Sequence, residues 1–234
     1  MKTLKTIIAA LICMLALNVN AQTADEVIAK YVAAMGGAEK LNAINTVKME
    51  GSINAQGMDI PITITTLNKK GMRMDIDVMG TTGYQVMNTT KAWRFFPFNG
   101  DTDPVEMTET EFKSGKEQMD LTDKLLHAKE LGYKIEYAGK EEVDGAPAFK
   151  LKVINPAGEE SFTFIDEKTS FKVKQVSKRD IGGTLTEIIS SFKDFKQTAE
   201  GFWFPHTIDS NIQGAVSFSK ITANAAVDES IFKP

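Results

Sequence analysis

The feature that most constrains this chain is a two-residue alternation of apolar and polar side chains, which begins at Val47 and recurs through most of the sequence. Successive side chains of a β-strand point to opposite faces of a sheet, so this period predicts strands with one apolar face. Turn signals at Gly57, at residues 68–71 and at residues 80–83 separate the first runs. The pattern therefore predicts antiparallel strands joined by short turns.

An aromatic stretch at residues 88–99 continues this pattern. In an extended chain Trp93 and Phe95 share one face, while Arg94 and its neighbours share the other. Pro97 ends the strand because it has no N–H to donate to a ladder. Alternation resumes at residues 133–137, 149–153 and 162–164, and further strand patterns cover 171–178, 185–195, 202–213 and 215–221. The chain is therefore predicted to form many antiparallel strands in one sheet or barrel.

Two stretches read as helical instead. Thr23 and Glu26 form a capping box ahead of apolar residues at helical spacing, and Gly36 and Gly37 end that helix before a short second piece at 38–44. Residues 101–132 are charged and rich in helix formers, with a second capping box at Thr108. We interpret them as one or two helices inserted between strands as a lid. The predicted class is mainly β with helices (α+β).

Residues 1–21 have the three parts of a secretory signal peptide: Lys2 and Lys5, an apolar core, and a small-residue cleavage site ending at Ala21. Residues 22–234 are predicted to form a single periplasmic domain. The formal net charge is −4 and becomes −6 without the two lysines, which argues against nucleic acid as a partner. Cys13 is the only cysteine and lies in the signal core, so we expect a mature protein without disulfides, thiol chemistry or a lipid anchor. We also expect it to be a monomer.

Catalytic and metal-binding patterns are weak in this sequence. His206 and Asp209 are three residues apart on a predicted strand, so their side chains would point to opposite faces and could not converge on a metal or substrate. His127 is expected at the surface. The sequence lacks the Gly-x-Ser-x-Gly and His-Glu-x-x-His motifs. The sequence predicts neither an enzyme nor a cofactor or metal site, although a hydrolase acting through His206 stays a third hypothesis.

Several motifs resemble those of the LolA/LolB-like superfamily of periplasmic lipoprotein carriers. The family's strand reads Asp-Gly, three residues, then Trp-x-aromatic-x-Pro; Trp93, Phe95 and Pro97 match its spacing, while Asn88 and Thr89 replace the Asp-Gly of the turn. Residues 166–169 resemble its Asp-x-x-Thr turn, 189–195 resemble a late strand, and 228–234 resemble its closing segment. Residues 201–206 are also similar to a motif of secreted relatives in Bacteroidota.

The resemblance implies an unclosed, curved antiparallel barrel whose mouth is plugged by helices and whose apolar cavity takes acyl chains. It implies a part in outer-membrane lipoprotein sorting, with a lipoprotein acyl chain or other lipid, and envelope sorting proteins, as partners. The sequence departs from the family at Asn68 and Lys69, where carriers commonly have Arg-Pro. That arginine helps to latch the helical lid, so here the latch is either missing or made differently.

The predicted cavity lining combines this resemblance with the apolar strand faces. Methionine is flexible and polarizable, which suits ligands of variable shape, and six of the eleven methionines lie between Met49 and Met87. From the residues alone, a filled core and an open cavity both remain possible. The alternative function is therefore a structural or interaction module with the same fold. The predicted lining residues are Met49, Ile53, Ile60, Ile62, Ile64, Met72, Met74, Ile76, Trp93, Phe95, Phe149, Leu151, Phe162 and Phe164.

Overall fold

The computed structural model describes residues 22–55, 57–181 and 183–234, so the predicted signal peptide lies outside the described residues. Within these ranges the chain forms one antiparallel sheet of thirteen strands. The strands are β1 Thr46–Ala55, β2 Met58–Leu67, β3 Gly71–Val78, β4 Thr81–Asn88, β5 Ala92–Phe95, β6 Val105–Glu106, β7 Lys134–Val143, β8 Ala146–Ile154, β9 Glu160–Asp166, β10 Lys172–Ile181, β11 Thr184–Gln197, β12 Trp203–Ser210 and β13 Gly214–Ala223.

The helices form where the capping signals predicted them. The α-helices are α1 Ala24–Ala34, α2 Ala38–Ala43 and α3 Glu109–Lys116, and short 3₁₀ helices cover Pro97–Asn99, Glu117–Met119 and Glu229–Phe232. In both capping boxes the threonine side chain accepts a backbone N–H and the glutamate three residues on accepts the threonine N–H. Among the described residues, no helix is long and apolar enough to cross a membrane.

The strand order explains why the barrel is open. Strands β1 to β6 form one meander and β7 to β13 form another, and the pairing of β1 with β13 joins them into one sheet. The edge strands of the sheet are then β6 and β7, which do not pair with each other. The sheet is curved and unclosed, with helices against one side, so the predicted fold class is confirmed.

The helices cover what we call the inner face of the sheet, the face that carries Val47 and Met49. Val27 and Tyr31 of α1 pack against Phe149 and Leu151 of β8. The segment after α3 packs on the other half of the inner face, with Met119 in a buried cluster beside Met72 and Met87, and Leu121 beside Val47. The plug thus comes from both predicted helical stretches, but the second prediction was too broad: residues 101–132 form a short strand, one α-helix and a 3₁₀ helix, and residues 124–132 form turns.

The opposite, outer face has its own apolar clusters. Leu67 and Val86 are covered by Phe232, which the last 3₁₀ helix places over β2 to β4. Gly71 lies under the Phe232 ring, where a Cβ would be 2.4 Å from the ring atom Cγ. Only a residue without a side chain leaves room for this contact, so the sequence seals this part of the outer face with its own C-terminus.

Candidate functional site

Ten of the fourteen predicted lining residues share the inner face. Directly paired residues of an antiparallel sheet have side chains on the same face. Met49 pairs with Ile64, which pairs with Met74, and Ile53 pairs with Ile60. The register carries the same face across β13, β12, β11, β10 and β9 to Leu151 of β8. The ten are Met49, Ile53, Ile60, Ile62, Ile64, Met72, Met74, Ile76, Phe149 and Leu151.

The other four predicted residues, Trp93, Phe95, Phe162 and Phe164, lie on the outer face, which corrects the prediction that all fourteen line one cavity. Trp93 pairs with Val86 and packs in the cluster that Phe232 covers. Phe164 pairs with Lys150. The ammonium of Lys150 lies 4.6 Å from the ring centre of Phe162 and 5.4 Å from that of Phe164. This lysine cation over the rings, together with the buried outer cluster of Phe164, Val143 and Ala148, stabilises aromatic residues here without their facing inward.

Coverage of the inner face is uneven between its two ends. We call the end with α2 and the β2–β3 turn the helical end, and the end with the β1–β2, β3–β4, β8–β9, β10–β11 and β12–β13 turns the hairpin end. Val47 and Met72, at the helical end, are buried. Ile53, Ile60 and Ile76, nearer the hairpin end, are only half-buried although they face inward. The inner face therefore keeps a partly exposed apolar surface that continues toward the hairpin end.

Large apolar side chains also surround the hairpin end. Among the described residues, five of the six exposed large apolar side chains belong to its turns or their flanks: Met58, Met79, Ile181, Leu185 and Ile212. Met79 is 92% exposed and Leu185 is 67% exposed. Exposed apolar side chains that cluster on a globular protein mark sites where a ligand, a membrane or another protein binds. The partly exposed inner surface thus ends at an apolar rim.

Sequence reasoning missed the inner residues of the late strands. Phe218 and Ile221 of β13 are buried beside Ile62 and Val47, and Phe204, Ile208 and Val216 pack against that cluster. Phe192 of β11 pairs with Ile208 and so faces inward too. The two-residue alternation finds Phe204, Ile208, Val216 and Phe218. It would have placed Ile221 on the other face, because a β-bulge at Ser219 shifts the register between Phe218 and Ile221.

The β2–β3 turn holds the helical segment in place. Lys69 N–H donates to the Met119 carbonyl at 2.8 Å, and the Asn68 side-chain oxygen accepts from Leu121 N–H at 3.0 Å. A cleft of about 300 Å³ lies beside this contact, with Leu41, His127 and Leu121 among its walls. The latch expected from the family's arginine is therefore made differently, by a backbone N–H and an amide oxygen.

A polar contact joins the two helical stretches above β8. The Tyr31 hydroxyl donates to Asp123 at 2.5 Å, while the other carboxylate oxygen accepts from the N–H groups of Leu125 and Leu126 at 3.0 and 2.8 Å. Burial, followed by the nearby Asp123 charge, raises the pKa of Tyr31 well above its ordinary value. The phenol therefore stays protonated, and the contact ties α1 to the turn that precedes β7.

The two histidines have structural contacts. A ring nitrogen of His206 lies 2.7 Å from the Phe218 carbonyl, so it donates to that oxygen, and the register places Asp209 on the opposite face. His127 is half-buried and contacts Glu130 at 2.6 Å and Asn42 at 2.5 Å. In the described ranges, no group of three or more His, Cys, Asp or Glu side chains is arranged to hold a metal ion.

Comparison with solved structures identifies the fold. A DUF1329 family protein from Desulfovibrio piger is 14% identical, with a TM-score of 0.58 over 89% of this chain and 96% of that one. A LolA superfamily protein from Nitrosomonas europaea is 12% identical, with a TM-score of 0.53 over 92% of this chain and 99% of that one. No protein-family model and no curated protein matches the sequence. This chain therefore has the LolA-like fold that the sequence motifs predicted.

Proposed function

We propose that this protein binds a lipid, or the acyl chain of a lipoprotein, on the inner face of its sheet in the periplasm, and that it carries its ligand rather than transforming it. The observation that carries the proposal is the half-buried apolar surface of Ile53, Ile60 and Ile76, which faces inward but lacks a full covering of protein. Burying apolar surface contributes about 25 cal/mol per Å², so a hydrocarbon chain placed there gains binding energy from the same effect that stabilises a core.

The apolar rim supports a route for this ligand. A hydrocarbon chain that leaves a membrane or another carrier would meet Met58, Met79 and Ile181 before it reaches the inner face. The LolA-like fold supports the same class of function, because it is the fold of a LolA superfamily protein. A structural module with a completely filled core would instead be expected to bury Ile53 and Ile60 under its own helices.

Native mass spectrometry tests the proposal. Protein purified from its own periplasm should carry a lipid of defined mass, and delipidated protein should take up a fatty-acid probe. Consistently empty protein that takes up no probe would overturn the proposal and would favour the interaction module.

Two neighbouring residues provide a matched pair of variants. Ile53→Glu places a carboxylate on the inner face, where it would lie beside the hydrocarbon chain, and we expect probe binding to be lost. Ser52→Glu places the same charge one residue away on the outer face, and we expect binding to be retained. Equal binding by both variants would show that the inner face is not the site.

A further inference from the structure

A β-bulge turns one lysine of β10 toward the inside of the barrel. Lys172 pairs with Ile165, and Lys174 pairs with Phe164, so the register shifts between the two lysines. Ile165 is an inner-face residue and Phe164 is an outer-face residue. Two lysines that regular alternation would place on one face are therefore placed on opposite faces, and bulges commonly redirect a side chain in this way.

The surroundings of the two lysines confirm this assignment. The Lys174 ammonium lies 5.0 Å from the ring centre of Phe164 on the outer face. The Lys172 ammonium lies 4.5 Å from the ring centre of Phe192, which faces inward. A cation over an aromatic ring is attracted by the negative face of the ring, so Phe192 orients the Lys172 side chain.

Lys172 lacks a direct counterion. Among the described residues, no carboxylate oxygen lies within 4.0 Å of its ammonium. Burial lowers the pKa of Lys172 and the Asp123 charge acts to raise it, but both Asp123 oxygens already accept hydrogen bonds, from Tyr31 and from two backbone N–H groups. Lys124, the other charged neighbour, is positive and opposes the Lys172 charge.

This arrangement makes the interior of the barrel attractive to an anion. Lys124 lies 3.8 Å from Glu117, so among the described residues the positive charge without a direct counterion here is that of Lys172. Burial lowers the pKa of Lys172, which reflects the cost of keeping an ammonium away from water. Lys172 is nonetheless only half-buried, so part of its surface stays open to a ligand. Anionic oxygens form short, strong hydrogen bonds with an ammonium and would offset this cost.

We propose that the ligand is an amphipathic chain with an anionic oxygen head group, which Lys172 binds deep inside the barrel while the hydrocarbon chain follows the inner face toward the hairpin end. This inference rests on the proposed function and makes it more specific. It separates ligands by their head group, since a chain of the same length that lacks the negative charge would leave Lys172 without a partner. A carboxylate and a phosphate ester share the required chemistry.

The test measures the affinities of delipidated protein for lauric acid, dodecyl phosphate and dodecanol. In the wild type we expect at least tenfold tighter binding of the anionic ligands than of dodecanol. Lys172→Met should remove most of this preference and leave the affinity for dodecanol unchanged. Lys172→Arg keeps the positive charge and should keep the preference for anionic ligands. Lys174→Met is the matched control, because it removes a lysine from the outer face of the same strand, and it should behave as wild type.

Each outcome bears on a different claim. Tighter binding of lauric acid than of dodecyl phosphate would identify the ligand as a fatty acid, and the reverse order would identify a phosphorylated lipid; both support the proposal. Equal wild-type affinity for dodecanol and lauric acid, or an unchanged preference in Lys172→Met, would overturn the role of Lys172 while the carrier function stands. Failure of the wild type to bind any of the three would overturn the proposed function as well. Thermal unfolding of each variant would show that it is folded.

Discussion

Replacing Asn68 by Ala should loosen the helical segment without unfolding the sheet. The substitution removes the side-chain oxygen that accepts from Leu121 N–H at 3.0 Å. The bond from Lys69 N–H to Met119 remains, so the segment keeps one of its two neutral hydrogen bonds to the turn. The Lys69–Asp120 ion pair is long, at 3.8 Å, and exposed, so it adds little.

The size of the effect follows from this single lost bond. A net contribution of about 1 kcal/mol for one hydrogen bond corresponds to a roughly fivefold change in the opening equilibrium. The Lys69 amide is the reporter, because its own partner is on the helical segment and is not altered by the substitution. Amide hydrogen exchange of Lys69 should therefore become about fivefold faster, while amides in the centre of the sheet keep their rates.

A second asparagine provides the control. The Asn155 side-chain oxygen accepts from the N–H groups of Ala157 and Glu159 in the β8–β9 turn, at the hairpin end. Asn155→Ala should change exchange in that turn and leave Lys69 unaffected. An unchanged Lys69 rate in Asn68→Ala would refute the latch. An equal acceleration across all strands would show that Asn68 contributes to global stability instead.

Three further predictions concern stability. Lys172→Met should raise the Tm of the ligand-free protein by about 2–4 °C for each kcal/mol gained, because it removes a poorly solvated charge. The Tm difference between variant and wild type should shrink as pH rises from the lowered folded pKa of Lys172 toward its unfolded pKa, because the unfolded wild type binds more protons than the folded protein in that range. A Tm of the variant equal to that of the wild type throughout that pH range would contradict the prediction. Gly51→Ala should destabilise the protein by about 1–3 kcal/mol in urea unfolding, because the new Cβ would lie 2.1 Å from the Ser217 carbonyl oxygen; unchanged stability would show that β1 and β13 can separate freely. Phe232→Ala should lower the free energy of unfolding by about 3–5 kcal/mol, because it leaves a cavity over Leu67 and Val86. The affinity for a fatty-acid probe should stay unchanged. A large loss of affinity in folded protein would contradict the separation of the two faces.

Local signals in the sequence predicted the elements well. The capping boxes at Thr23 and Thr108 and the alternation from Val47 onward depend on neighbouring residues only, and the structure confirms them. Alternation also assigns Trp93 and Arg94 to different faces correctly. It does not say which face is the inner one.

The errors have one physical cause. The outer face at Trp93 is covered by the distant Phe232, and at Phe164 the outer face carries its own apolar cluster with the ammonium groups of Lys150 and Lys174 near the ring. Both faces of these strands are therefore apolar, so an aromatic residue in the sequence does not show which face of the sheet it occupies. The bulge at Lys172 was equally hidden, because regular alternation places Lys172 and Lys174 together. Features that depend on contacts between strands are the ones that the sequence did not predict.

Fluorescence quenching tests most directly whether the ligand lies on the inner face. Both native tryptophans, Trp93 and Trp203, belong to the outer face, since Trp93 packs under the C-terminus and Trp203 contacts Phe171 at 5.3 Å beside Phe195. The variant Trp93→Phe keeps only Trp203 as an outer reporter. Adding Trp203→Phe and Phe192→Trp moves the single reporter to the inner face.

A bromine-labelled fatty acid quenches a tryptophan only at short range, and the sheet separates the two reporters. We predict strong, saturable quenching of the reporter at position 192 and little quenching of Trp203. Equal quenching of both, or quenching of Trp203 alone, would contradict binding on the inner face.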